Sequence, residues 1–254
     1  MTEHTPDDAA RVVSEAPVAT TTPAPLELRD ELRLDAPRSR EVVAPELAGR
    51  TLLAIDTALG TSVALGMNGV IYEASSDDPM RHAEAIGGLL AQVLECAGCD
   101  PASIEGVIAG VGPGPFTGLR VGIAAAHAFA RGRELPLLPL QGHEAVALAM
   151  LEWGAAPGDL RVVQDARRQE LFVTEYGALD WAGLPLRTGG PELEERAVHS
   201  PRTGDVWPER IPAARLVQLA ARRLAASRDF EEDRAVYLRV PDVRAPSAPK
   251  RVVP

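Results

Sequence analysis

A mixed α/β fold in two lobes is predicted by three observations. First, a short apolar strand, a glycine–proline loop and a helix follow one another between Ile104 and Arg131. Second, the apolar strand Thr51 to Asp56 ends in Asp and precedes two further strands. Third, the second half of the chain holds another apolar strand ending in Asp, Leu160 to Asp165, with its own partner, Glu170 to Tyr176. Strands of this kind, separated by helical patterns, make an α/β layer rather than a sandwich.

The elements follow in order. Residues 1–48 carry Thr20-Thr21-Thr22-Pro23-Ala24-Pro25 and many charges without sustained periodicity, and are expected to be a disordered extension. Within them, Leu26 to Leu34 could form a transient helix, though nothing in the pattern requires it. An N-terminal lobe is expected over 49–153. Thr51 to Asp56 is its first strand, Thr61 to Gly66 its second and Val70 to Ala74 its third. Asn68-Gly69 is a strong hairpin signal between the last two. His82 to Ala97 places Ile86, Leu89, Leu90, Val93, Leu94 and Ala97 on one helical face, and Gly98 ends it. Three antiparallel strands, the first ending in Asp, open an actin-like or ribonuclease-H-like half-domain.

The run Ile104 to Gly110 reads as a buried strand. After Gly112-Pro113-Gly114-Pro115 a helix starts near Phe116 or Thr117, with Thr117 as the expected N-cap. Gly118, Gly122, Ala126 and Ala130 fall every fourth residue and form a smooth ridge, beside which Leu119 and Ile123 are apolar. Such a ridge seats a second helix closely, from this chain or from a partner. Leu135 to Leu140 is a further strand and Gly142 to Trp153 a helix. The second lobe, 154–242, contributes the Leu160 and Glu170 strands, a helix over Pro212 to Ser227 and an extended Ala235 to Val240. Between Trp181 and Trp207 no pattern survives, and Gly189 to Pro208 holds no clear strand, so this lobe is expected to be reduced. Residues 243–254 are expected to be a loose tail.

Composition excludes several chemistries. Acidic residues outnumber basic ones 36 to 26, for a net charge of −10. A wide grip on a phosphate backbone needs clustered Lys and Arg. The single Lys is Lys250, so no Lys serves as phosphate clamp or Schiff-base nucleophile in the folded part. No apolar run approaches the ~18 residues of a membrane helix. No apolar signal core opens the chain, and two Cys make no disulfide framework. The cytoplasm is the expected compartment, with no membrane contact.

The candidate sites are weak one by one. Asp56 could bind metal or phosphate, but Asp56-Thr57-Ala58-Leu59 lacks the Gly of the D-x-G-x-T phosphate turn, so Asp56 is read as a turn cap. Asp165-Ala166-Arg167 departs from that pattern too. The loop from Gly112 to Gly118 has neither the Walker Lys nor dinucleotide spacing, and is read as a rigid turn before a close-packing helix. Cys96 and Cys99 lack further zinc ligands and are read as buried or half-buried thiols. His82 and His143 have no second His at helical spacing and are read as structural. No G-x-S-x-G elbow is present. Neither a catalytic nor a metal site is assigned.

Five segments together resemble the bacterial TsaB family: LAIDTA (from Leu53), RHAEAI (from Arg81), GVGPGPFTGLRVGIAAAHAFA (from Gly110), QDARRQELF (from Gln164) and VYLR (from Val236). The resemblance covers about Thr51 to Asp242. It implies the actin-like ATPase (ASKHA, ribonuclease-H-like) fold in two lobes. It implies an accessory role in making N6-threonylcarbamoyladenosine on tRNA, dimerising with the catalytic paralogue TsaD, with the ATPase TsaE joining. The chain alone would bind no cofactor, ATP being used by the complex, and tRNA would be met through the complex. Gln141-Gly142-His143 to Ala147 cannot supply the paralogue's H-x-x-x-H metal pair. The helices starting at His82 and Thr117 would pair with those of TsaD or of a second copy. That assigns partner contacts to His82, Ile86, Leu89, Leu90, Gly118, Leu119, Gly122 and Ala126. The alternative is a stand-alone glycoprotease-like hydrolase or ATPase of the same fold; a plain homodimer on the same helices is a third reading.

Overall fold

The computed structural model describes residues 39–78 and 81–239. The first sheet has six strands: β1 (Ser39–Val43), β2 (Leu52–Asp56), β3 (Thr61–Met67), β4 (Val70–Ser76), β5 (Gly106–Gly110) and β6 (Leu137–Leu140). Their order is β1-β4-β3-β2-β5-β6. β2, β3 and β4 run antiparallel, while β5 is parallel to β2 and β6 to β5. The β3–β4 hairpin turns on Asn68 and Gly69, with φ of +53° and +78°. Two successive positive φ values are what a two-residue hairpin turn requires, and Asn-Gly supplies them at least cost.

Every residue of β2 and β5 is buried, because helices cover both faces of this sheet. Alternate residues serve the two layers. Leu53, Ile55, Val63 and Val107 meet α1 (His82–Ala97) and α2 (Phe116–Gly132). Leu52, Ala54, Ala64 and Ile108 belong to the opposite layer, where α4 (Ala213–Ala225) packs. α3 (Gly142–Glu152) lies between α4 and the second sheet. One core therefore spans both lobes.

The second sheet is β7 (Leu160–Asp165), β8 (Glu170–Leu179), β9 (Pro185–Glu195) and β10 (Asp205–Val206), ordered β10-β7-β8-β9. β7, β8 and β9 are antiparallel and β10 is parallel to β7. That repeats the β5-β2-β3-β4 arrangement of the first sheet. Among the described residues the copy lacks a helix between its third and fourth strands and a fifth strand.

Four expectations need correction. The last residues assigned to a disordered extension are ordered: β1 pairs with β4, and the short helical turn Pro45–Leu47 puts Leu47 fully into the core. Five residues of edge strand are too few to show periodicity. The stretch from Gly189 onward is not patternless, since it holds most of β9. That strand is mostly exposed or half-exposed, so its residues alternate weakly and its identity comes from backbone pairing with β8. Residues 235–239 are coil rather than strand, with Val236 N–H donating to Val111 O. α2 is capped by Pro115, and Thr117 lies exposed in its first turn. The segment from Leu26 to Leu34 and the 243–254 tail lie outside the described residues.

Candidate functional site

Two aspartates end matching strands of the two lobes, and the space between them is where a two-lobed fold places a ligand. Asp56 closes β2. It is 1% exposed, its Oδ1 accepts from Ala58 N–H at 2.8 Å, and its Oδ2 has no hydrogen-bond partner. A Cβ on Gly110 would collide with this carboxyl, and one on Gly142 would come within 3.3 Å of Oδ2. The two glycines thus let β5 and the start of α3 close directly over the acid. Burial pushes its pKa from 3.8 to about 7, against the smaller opposing effect of the Ala58 bond. A buried carboxyl so enclosed caps its own turn, as the sequence suggests.

Thr57 explains the small residues of α2. Its Oγ donates to Gly118 O at 2.7 Å and accepts from Gly122 N–H at 3.1 Å. The hydroxyl is therefore inserted where the helix would bond residue 122 back to residue 118. A Cβ at Gly118 would approach Thr57 O to 2.6 Å, and one at Gly122 would strike Thr57 Oγ. The ridge faces inward onto the end of β2. Gly118, Leu119, Gly122 and Ala126 are buried by their own chain and cannot seat a partner; Ile86 also points into the core. The expectation failed because a four-residue spacing of glycines marks a close approach without saying what approaches. Of the remaining assigned residues, His82 is half-buried, with Nδ1 2.8 Å from Thr61 Oγ and its pKa lowered mainly by burial. Leu89 and Leu90 are half-buried against the core. The open side of α1 carries Ala83, Gly87 and Ala91, and that of α2 carries Ala124 and Ala128. Nothing lies within 4 Å of a Cβ built on Gly87 or Gly88.

Across the junction the lobes are tied by polar side chains. Gln164, near the end of β7, donates from Nε2 to Ala58 O at 3.0 Å. Its Oε1 lies 3.1 Å from His143 Nε2, and His143 Nδ1 lies 2.8 Å from Thr174 Oγ. Because Oε1 can only accept, Nε2 carries the ring proton and Nδ1 accepts from the Thr174 hydroxyl. The imidazole is neutral and saturated. Burial lowers its pKa from 6.5 to about 4, outweighing the Gln164 bond. His143 is thus structural, as its isolation in the sequence suggests. The sequence alone assigns no role to Gln164 or Thr174. Gln164 opens the QDARRQELF segment without a signal of its own, and Thr174 sits in no recognisable motif.

The turn after β7 differs from that after β2. Asp165 is exposed, accepts from Arg167 N–H at 3.1 Å and pairs with Arg196 at 3.0 Å. Arg167, Arg168 and Gln169 all have left-handed φ, +65°, +53° and +62°. Cys99 is buried as expected, whereas Cys96 is exposed at the α1 surface. Among the described residues no group of His, Cys, Asp and Glu is arranged to hold a metal.

The strand orders, the helices on both faces of the first sheet and the reduced repeat define a two-lobed protein of the ribonuclease-H-like, actin-like ATPase class. A family model for TsaD, tRNA N6-adenosine threonylcarbamoyltransferase, matches residues 66–184. An uncharacterized protein of Mycobacterium tuberculosis is 34% identical over 152 residues, covering 58% of this chain and 66% of that one. The Escherichia coli tRNA threonylcarbamoyladenosine biosynthesis protein TsaB is 33% identical over 126 residues, covering 49% and 54%. The chain thus spans about two thirds of the mycobacterial relative and about half of the enterobacterial one. A Pseudomonas aeruginosa crystal structure, described as similar to the peptidase YEAZ, superposes with a TM-score of 0.66 at 23% identity. It covers 75% of this chain and all of that one, and supports the fold. Over about half of its length the chain is similar to TsaB proteins, and over residues 66–184 to the TsaD family model.

Proposed function

We propose that the chain is a non-catalytic scaffold subunit of the complex that forms N6-threonylcarbamoyladenosine on tRNA, and that it acts by pairing with TsaD. The relatives named for that biosynthesis supply the pathway. The closed junction carries the non-catalytic part of the reading. Asp56, His143 and Gln164 are each 1% exposed or less, and His143 and Gln164 spend their polar atoms on one another and on neighbouring residues. A group that transfers protons or holds a metal needs access to substrate. On this reading the chain binds no cofactor alone, ATP is used by the complex with TsaE, and the work is done in the cytoplasm.

The partner surface is the open side of α1 and α2 beside Leu89 and Leu90. Ala83, Gly87 and Ala91 repeat every four residues, so a helix of TsaD, or of a second copy, can approach without side-chain obstruction. The test is co-purification of the full chain with TsaD, with modified tRNA as the second readout. Gly87→Arg is expected to cut complex recovery by roughly ten-fold, because overpacking a close contact costs about 1–3 kcal/mol. It should leave the melting temperature unchanged or raised, since an exposed helix glycine costs about 1 kcal/mol relative to better helix formers. Undiminished recovery would remove this face from the interface. ATP or peptide turnover by the isolated chain at enzyme rates would restore the hydrolase or ATPase alternative.

A further inference from the structure

The exposed turn after β7 opens into a cavity that the closed junction does not use. Its volume is about 340 Å³, within the range of small-ligand sites. One wall is the Gly114-Pro115 loop with Phe116; the other is the Arg167-Arg168 turn; Tyr237 and Arg239 complete the rim. Two features make it more than a crevice between loops.

The lining combines aromatic rings with guanidinium groups. The Phe116 and Tyr237 rings lie 4.7 Å apart, centroid to centroid. Arg120 holds that pair, 3.6 Å over the Phe116 ring and donating from Nε to the Tyr237 hydroxyl at 3.0 Å. Arg239 is committed to the turn itself, bonding Ala166 O and Arg167 O and pairing with Glu170. The exposed Arg167 guanidinium has no ion-pair partner among the described residues, and Arg168 lines the cavity beside it. The turn that carries both is also unusual. Three consecutive non-glycine residues in the left-handed region are conformationally costly, and such backbone persists where surrounding structure enforces it. Here Arg239 enforces it by bonding two of the turn's carbonyls.

Flat apolar walls suit a planar ring, and guanidinium forks suit phosphate oxygens. We propose that this cavity takes one nucleotide of a single-stranded RNA, its base against the Phe116–Tyr237 walls and its phosphate on Arg167 and Arg168. A concave site between two loops admits a splayed base and excludes a stacked duplex. A net charge of −10 disfavours a broad electrostatic grip, but a single basic rim is compatible with it. The choice of RNA as the source rests on the tRNA reading above; the nucleotide chemistry does not.

The test uses the full-length chain and a fluorescently labelled single-stranded RNA, with binding followed by anisotropy at low salt. Arg167→Glu is expected to weaken binding about ten-fold or more, and Tyr237→Ala by about five-fold. Arg133→Glu, at the far end of α2 and roughly 25 Å along that helix, should change it less than about two-fold. Duplex RNA should bind about ten-fold more weakly than single strands. Equal losses from Arg167→Glu and Arg133→Glu would overturn the proposal as diffuse attraction. Binding of adenosine monophosphate without binding of RNA would overturn the RNA source. Recovery of the TsaD complex is measured on the same variants. Arg167→Glu should leave it intact, so loss of RNA binding with assembly retained separates this site from the scaffold face. A wild-type chain that binds RNA but not TsaD would instead sink the scaffold reading alone.

Discussion

Asp56 and Asp165 occupy equivalent places, the last residues of the matching strands β2 and β7, yet their environments are opposite. Asp56 is 1% exposed with one oxygen unpartnered; Asp165 is exposed and paired with Arg196. The difference lies in the residues packed beyond each strand end. Behind Asp56 stand Gly110 and Gly142, which let backbone close over the carboxyl. Behind Asp165 the turn carries Arg167 and Arg168 and opens to a cavity. A repeated fold can thus seal one of its two equivalent turns while leaving the other accessible, with glycine placement deciding between them.

The sharpest way to break the comparison is at the seal. Gly110→Ala puts a Cβ against a fully buried carboxyl that has no room to move, and should cost roughly 3 kcal/mol, the upper end of overpacking effects. Urea unfolding would read it as a lower midpoint at unchanged slope. An alanine tolerated without loss would mean that the carboxyl is free to rotate away. Second is the charge itself. The Asp56 pKa is raised, so the folded state holds its proton while the unfolded state releases it above about 3.8. Stability from this group is therefore complete at low pH and declines as pH rises toward 7, by about 4 kcal/mol in all. Asp56→Asn keeps an acceptor for Ala58 N–H and removes the ionisation. Relative to wild type it should gain roughly 2–4 kcal/mol between pH 4 and pH 8, read from paired thermal or urea unfolding curves. A constant difference across that range would show that Asp56 is ionised in the folded protein.

The strand ends, the Asn68-Gly69 hairpin and the Gly98 helix stop were legible because each rests on local chemistry. Backbone dihedral preference and one-sided burial leave marks on neighbouring residues. The α2 ridge was legible as a close contact but not as an internal one. Thr57 lies 61 residues from Gly118, and nothing local to the helix reports its hydroxyl. β9 was illegible for the opposite reason. With one edge paired to β8 and most of its side chains reaching water, it needs no apolar alternation, and its polar sequence resembles a loop. Arg167 and Arg168 were visible inside QDARRQELF, but their meeting with Phe116 and Tyr237 depends on how the two lobes close.

The smallest expected effect tests the open member of the pair. Asp165 pairs with Arg196 where both side chains are about half-exposed, 50% and 41%, so water and salt screen the attraction. Its one bond into the turn, from Arg167 N–H, is also exposed. Asp165→Asn retains that acceptor and loses only the screened charge, so unfolding free energy should change by less than about 0.5 kcal/mol. That is several-fold smaller than the change expected for Asp56→Asn at neutral pH. The contrast between the two magnitudes isolates burial as the cause, because residue type, strand position and substitution are the same in both. A change of about 2 kcal/mol or more for Asp165→Asn would place the second turn in a dry setting and remove the asymmetry on which the open cavity depends.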